Sequence, residues 1–220
     1  MLLGCMDTST DHASFVLFNN DECILSISKE CKKGASKLLP WIRSQVEEKG
    51  FTLASINEWR IGIGPGSFTG MRVGIAFVKG ICFASGAQFR GVNSGYGFLY
   101  TLLEEQPDVK EISVLHDGRR QEVISNSFEL VDGEWVEKGA EVLKIKSLES
   151  LEQNGRGFIT NMERDCFPEG FKKNLVCTKE ISAGFFKNLN RKEFSSLEEM
   201  DMSCEPIYVR PPVFVQPLSK

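Results

Sequence analysis

The sequence predicts an α/β protein of two similar lobes, each a mixed sheet flanked by helices. Three observations carry that expectation. Short apolar runs separated by turn residues open both halves of the chain, at Leu2 and again at Ile112. Behind each opening, helix-period runs alternate with further strand-like runs. Between the halves, Glu104 to Lys110 is polar and contains Pro107, which marks a hinge.

Taken in order, Leu2 to Met6 reads as a buried strand ending at Asp7, and Thr8-Ser9-Thr10-Asp11 as a turn. Ser14 to Phe18 and Cys23 to Ser28 are strands joined by a hairpin turn at Asn19-Asn20-Asp21. A helix is expected from about Ser36 to Glu48, with Leu38, Leu39, Trp41, Ile42 and Val46 on one wide arc and Gly50 as its stop. Pro40 fits only near its start. Then come the strand Arg60–Ile63, the helix Met71–Ala84, the strand Gln88–Val92 and a helix from Asn93 or Ser94 to Glu105. The second half repeats the plan with strands Ile112–His116, Glu122–Phe128 and Trp135–Val142, separated by Asp117-Gly118 and Asp132-Gly133 turns. A helix near Ser147–Leu151, strands Gly157–Thr160 and Asn174–Thr178, and a helix Ser182–Leu189 complete it. The expected lobes are residues 1–105 and 106–220. This order is that of the actin-like (ASKHA) duplicated RNase H-like fold, an analogy of topology that says nothing of activity.

Composition narrows the classes. Apolar residues make up 41% of the 220 residues and charged ones 25%, which suits a soluble core-forming chain. The net charge of −4 does not mark a nucleic-acid binder, so any RNA contact must come from local patches or from a partner. Lys29, Lys32, Lys33 and Lys37 cluster, as do Lys187, Arg191 and Lys192; such clusters are more often solvated faces. The seven cysteines form no C-x-x-C pair and fit a reducing compartment. The N-terminus lacks a basic region and a signal-length apolar run, and no run reaches the roughly 18 apolar residues of a spanning helix. The expectation is a cytoplasmic protein with no membrane contact.

The most informative stretch is Gly64-Pro65-Gly66-Ser67-Phe68-Thr69-Gly70-Met71-Arg72-Val73-Gly74, between a strand and a helix. A phosphate loop would need a second glycine where Thr69 stands, followed by lysine. A dinucleotide fingerprint fails at Thr69 too, and no acidic residue falls between Ala84 and Tyr100. The following helix is apolar nearly all round, apart from Arg72 and Lys79, which share a narrow stripe with Ala76. Gly70, Gly74 and Val78 repeat every four residues, so one side is small and admits a close neighbour. This pattern leaves a central core helix and a docking helix both open.

Catalytic constellations are sparse. His12 and His116 are the only histidines, and neither belongs to a metal-binding pair. A Cys–His nucleophile is not excluded by spacing, but has nothing else to support it. Asp7 ends the first strand, where an actin-like kinase would carry a metal-linked carboxylate. The simpler reading is that Asp7 caps its own turn. No catalytic, metal or cofactor residue is assigned.

With turn and topology in hand, the chain resembles the TsaB (YeaZ-type) family. The glycine-rich stretch Gly64–Gly74 matches the family hallmark almost letter for letter. Asp7-Thr8-Ser9, Ser36-Lys37-Leu38-Leu39-Pro40 and Pro206-Ile207-Tyr208-Val209-Arg210-Pro211 are looser matches. Ala35 stands where the family has histidine, Lys37 where it has glutamate, and Asp117-Gly118-Arg119-Arg120-Gln121-Glu122-Val123-Ile124 replaces its Asp-Ala-Arg-x-x-Glu-Val-Tyr. The resemblance implies a catalytically silent scaffold or activating subunit. Its TsaD-type partner adds threonylcarbamoyl to the adenosine beside the anticodon of tRNAs reading A-starting codons. It also implies a TsaE-type ATPase in the complex, self-association through the same first-lobe surface, and tRNA contact only through the complex. The expected interface comprises Leu38, Trp41, Ile42, Gly70, Arg72, Gly74, Phe77, Val78 and Ile81. The alternative is an actin-like nucleotide-binding phosphotransferase acting alone, without the phosphate loop it would need.

Overall fold

The computed structural model describes residues 1–31, 35–150, 155–189 and 196–209. Lys32, Lys33, Leu151, Arg191, Lys192, Arg210 and Pro211, named above, lie outside the described residues, as do the side chains of Ala35 and Ser36.

The first sheet is built from β1 (Leu2–Asp7), β2 (His12–Asn19), β3 (Glu22–Glu30), β4 (Glu58–Gly62) and β5 (Gln88–Val92), in the order β3-β2-β1-β4-β5. Both strand pairs of the opening meander are antiparallel, whereas β1–β4 and β4–β5 are parallel. Between these strands run α1 (Ala35–Glu48) and α2 (Phe68–Ser85). After β5, α3 (Gly95–Glu105) leads across Gln106–Lys110 to the second sheet. That sheet contains β6 (Glu111–Arg119), β7 (Glu122–Val131), β8 (Glu134–Lys144), β9 (Arg156–Thr160) and β10 (Leu175–Cys177). Its order, β8-β7-β6-β9-β10, repeats the first strand for strand. The chain therefore has the duplicated actin-like α/β fold. Two short helices, α4 (Glu169–Lys172) and α5 (Leu197–Ser203), complete it.

Each sheet has a core on both faces. Phe15, Leu17, Trp59 and Ile61 meet Ile42, Val46 and Val78 from α1 and α2 on the outer face of the first sheet. On its inner face Leu3, Cys5, Val16 and Val92 meet Ala183 and Phe186. The inner face of the second sheet packs on Phe98, Leu99 and Leu102 of α3, and its outer face on Leu148, Phe167 and Phe171. So the strands divide at Gln106–Lys110, but the inner layer interleaves. The helix from the first half covers the second sheet, and the turn Ala183–Asn188 from the second half covers the first.

An ionic cluster fixes that interleaving. Glu58 accepts from Nε of Arg60 at 2.9 Å and from Nε of Arg90 at 2.8 Å, all three side chains being buried. Arg60 then donates to the carbonyls of Phe186, Lys187 and Leu189 at 2.9, 2.5 and 2.5 Å. The segment expected as a helix at Ser182–Leu189 is a 3-10 turn over Ala183–Asn188, whose last carbonyls are capped by the Arg60 guanidinium. The helix α5 is absent from the sequence reading, and the Asp117-Gly118 turn lies two residues later. β6 continues through Gly118, and Arg119, Arg120 and Gln121 make the turn at φ of 64°, 52° and 61°.

Arg60→Met should lower unfolding free energy by about 3 kcal/mol in urea titration, since buried carbonyls lose their donor and Glu58 one of its cations. Unchanged stability would show that the inner turn is held by apolar packing alone.

Candidate docking surface and inter-lobe cleft

The site begins at the end of β1. Asp7 is fully buried and accepts from the Ser9 N–H at 2.8 Å, the Ser9 hydroxyl at 2.7 Å and the Ser94 hydroxyl at 2.6 Å. Burial pushes its carboxyl upward, and these three bonds oppose that shift. Asp7 thus closes its own turn, as the simpler reading has it. Ser94 also accepts from the Gly64 N–H at 3.0 Å, tying the glycine-rich turn to the same carboxylate.

The glycine-rich turn then sits on Thr8 and Ser9. The Ser67 N–H donates to the Ser9 carbonyl at 2.6 Å, and the Thr8 hydroxyl to the Gly70 carbonyl at 2.8 Å. A methyl group at Gly66 would stand 2.4 Å from the Ser9 carbonyl oxygen, and one at Gly70 only 2.0 Å from that of Thr8. At Gly74 it would stand 2.2 Å from the Thr8 hydroxyl. The small side of α2 is therefore filled from within the chain, not by a partner.

This decides where the expected interface residues lie. Val78 and Ile42 are wholly buried, Leu38 is buried, and Gly74 is pressed on Thr8. None of these four is on the free surface: Leu38, Ile42 and Val78 complete the core of the first sheet. Gly70 is half-buried over Thr8. Phe77 and Ile81 are half-buried, Phe77 edge-on to Trp59 at 6.0 Å. Trp41 is half-buried under the Lys29 ammonium at 5.6 Å. Only Arg72 is exposed. Beside it the exposed side of α2 carries Phe68, Thr69, Ala76, Gly80 and Phe83, with Phe68 and Phe83 at 44% and 67%. Leu39 of α1 is 47% exposed. Sequence reasoning missed Phe68 because it precedes the expected helix start at Met71, Phe83 because the wheel of α2 is apolar all round, and Leu39 because it falls on the same arc of α1 as Leu38 and Ile42. The usable signal was the four-residue glycine spacing, which marks the side opposite the free one. By length and composition α2 is able to cross a membrane, which corrects the expectation that no stretch is long and apolar enough; one side of it is seated against β1 and β4.

Between the lobes lies a cleft of about 1010 Å³, lined among others by Ser9, Ser67, Phe68, His116, Arg119 and Asn161. His116 is buried, its ring edge-on to Phe98 at 5.2 Å, and its Nε2 has no hydrogen-bond partner. Burial pulls it down to about 4, so it is neutral at pH 7. His12 faces Glu180 at 3.7 Å, and the two histidines share no partner. Among the described residues no group of three or more His, Cys, Asp or Glu is placed to hold a metal ion.

Gly74→Leu should collapse folding, not just binding, and appear as a lower Tm by circular dichroism. A normally stable Gly74→Leu would overturn the seat described here. A second outcome concerns pH. The folded His116 value lies below its ordinary 6.5, so the stability it contributes is full above 6.5 and is lost as pH falls toward about 4. The loss is on the order of 3 kcal/mol. Asp7, raised by burial, contributes in the opposite sense, so the comparison is wild type against His116→Gln. The variant should lose less stability than wild type between pH 7 and 4.

Comparison with known proteins places this geometry. A family model described as TsaD, tRNA N6-adenosine threonylcarbamoyltransferase, matches residues 30–195. Curated relatives named tRNA threonylcarbamoyladenosine biosynthesis protein TsaB are 29% identical over 94 residues in Escherichia coli (43% of this chain, 41% of the relative) and 31% over 94 in Buchnera aphidicola (42% and 44%). The chain thus matches about two fifths of the length of those relatives. YeaZ from Pseudomonas aeruginosa superposes with a TM-score of 0.70 at 22% identity, over 94% of this chain and 99% of that one. A second Pseudomonas aeruginosa structure, of an uncharacterized protein with similarity to peptidase YEAZ, gives 0.72 at 23%, over 95% and 99%. With the glycine seat, the duplicated sheets and the match over residues 30–195, the chain belongs to the family of that TsaD-type model and, within it, to the TsaB/YeaZ group.

Proposed function

We propose that this chain is the non-catalytic scaffold subunit of the assembly that adds threonylcarbamoyl to the adenosine beside the anticodon of tRNA. It acts by docking a TsaD-type transferase subunit on the exposed side of α2. The observation that carries the reading is the outer side of α2: an 18-residue helix with Phe68 and Phe83 at its two ends and small residues, Ala76 and Gly80, between them. Small residues let a second helix approach, and the two rings supply apolar area at either end of the crossing. Leu39 of α1 extends the surface, toward the roughly 800 Å² per partner that a stable complex buries. A TsaE-type ATPase and tRNA enter this reading as members of the same assembly.

The competing reading is a nucleotide-binding phosphotransferase using the inter-lobe cleft. Its first turn would need free donors for phosphate. Here the Ser9 amide and hydroxyl are spent on Asp7, and the Ser67 amide on the Ser9 carbonyl.

Co-purification with the TsaD-type protein of the same organism tests the proposal. Ala76→Arg and Phe83→Ser should each keep a normal Tm, as surface changes do, and lose the complex. Val78→Glu should unfold the chain instead, because it places a carboxylate in the first core. Binding undiminished in both surface variants would move the interface elsewhere. ATP hydrolysis by the isolated chain, abolished by a substitution in the cleft, would favour the phosphotransferase.

A further inference from the structure

Phe68 belongs to two regions at once. It opens α2 on the exposed side, where it is 44% exposed, and it lines the inter-lobe cleft beside Ser67. Two other residues hold its ring on the outer side. The guanidinium carbon of Arg72, one turn on, is 3.8 Å from the ring centre. The Tyr208 ring stands 5.4 Å from it, tilted by 38°. The Arg72 Nε donates to the Tyr208 hydroxyl at 2.8 Å, so the two holders also hold each other. Tyr208 comes from a segment that is itself anchored, the Ile207 N–H donating to the Ile63 carbonyl at 2.8 Å. Farther along α2, Lys79 pairs with Asp201 of α5 at 2.5 Å. The strap from Asp201 to Tyr208 therefore runs back along α2, from its middle to its first turn. On the second-lobe side the cleft is lined by Ile124, Ile145, Met162 and Phe167.

We propose that Phe68 is a gate of the inter-lobe cleft, and that Tyr208, with Arg72, is the latch that holds it open. Two positions of the ring compete. In the outer one it gains an aromatic pair and a cation–π contact but stays nearly half exposed. In the inner one it would leave water for the apolar second-lobe wall, which is favourable in proportion to the area buried. Both sets of contacts are modest, so neither position excludes the other, as a gate requires. The backbone permits the swing. Phe68 is the first residue of α2, so no earlier helical turn restricts its χ1. The latch joins residues 136 positions apart, so the gate follows whether the strap is seated. A binder that draws Tyr208 away from Arg72 closes the cleft, and a molecule that fills the cleft keeps Phe68 latched; the two effects are reciprocal. This coupling holds whether or not α2 docks another protein.

Cys166 reports the state of the cleft, because it is exposed, lines the cleft and directly precedes Phe167 of the apolar wall. Cys23, exposed on β3, is the internal reference. The full chain is treated with N-ethylmaleimide, a neutral reagent, and the modification rate of each cysteine is followed by peptide mass spectrometry. Tyr208→Ala removes the aromatic pair and the acceptor that steadies Arg72, and should slow Cys166 about 2- to 10-fold relative to Cys23. Tyr208→Phe keeps the ring and should fall between that variant and wild type. With Phe68→Ala added to Tyr208→Ala there is no ring to swing, and Cys166 should regain at least the wild-type rate. Tyr208 is exposed, so its variants should keep a normal Tm, which circular dichroism checks. An unchanged or faster Cys166 rate in Tyr208→Ala overturns the latch. A rate that stays slow in the double variant shows that the cleft narrows without the Phe68 ring, and overturns the gate.

Discussion

Thr8 and Ser9 occupy the space where a Cβ at Gly66, Gly70 or Gly74 would stand, and this backbone-to-backbone seat sets the outer layer of the first lobe. A helix with side chains at those positions would be pushed outward, and Ile75 and Val78 would leave the sheet they now cover. The seat is polar as well as steric. Ser67 and Thr8 donate across it in opposite directions, so the glycine-rich turn cannot slide along the strand end without breaking both bonds. Asp7 is the hub behind it, joining the end of β1, the turn through Ser94 and Gly64, and the start of α3. One carboxylate thereby links the first turn, the glycine-rich turn and the helix that covers the second sheet.

The sheets were legible because their residues obey simple periods. Buried runs at Leu2, Arg60 and Ile112, with Asn and Asp-Gly turns between hairpin strands, predict the sequence of elements along the chain. What failed did so for nonlocal reasons. The segment after Ser182 reads as helix by composition, but it is a 3-10 turn whose end is held by Arg60, more than a hundred residues earlier. The turn after β6 falls at Arg119–Gln121 and not at Asp117-Gly118, because Gly118 is needed within the strand, where a Cβ would press on the Glu122 carbonyl at 2.9 Å. The helix α5 was different: its signal was local and present. Ser196 is followed three residues later by Glu199, whose N–H donates to the Ser196 hydroxyl at 3.2 Å, the first half of a capping box.

The proposed docking surface was half legible. The four-residue spacing of Gly70, Gly74 and Val78 announced a close neighbour, and the neighbour is real. Its identity was not in the helix but in Thr8 and Ser9, sixty residues away. An apolar wheel cannot say which side meets the sheet, so residues from both sides entered the expected interface. Once the glycine side is assigned inward, the remaining positions order themselves: Met71, Ile75, Val78 and Cys82 face the core, and Arg72, Ala76, Gly80 and Phe83 face out.

The two regions open to function differ in how well they are finished. Around the inter-lobe seam, His12, Asn93, His116, Asn126 and Asn161 each hold a buried polar atom without a partner. Each such atom costs about 1–3 kcal/mol where it stays unpaired. His116 meets that cost by remaining neutral, and Asn93 and Asn126 share a single bond at 3.3 Å. The outer side of α2 has the opposite character. Its apolar and small residues need no partner to keep the chain folded, and Arg72 is stacked on Phe68 and oriented by the Tyr208 hydroxyl. Side chains that already hold one another in this way lose less entropy when a partner arrives. That difference, more than the size of the cleft, is why we propose recognition at the helix and not at the seam.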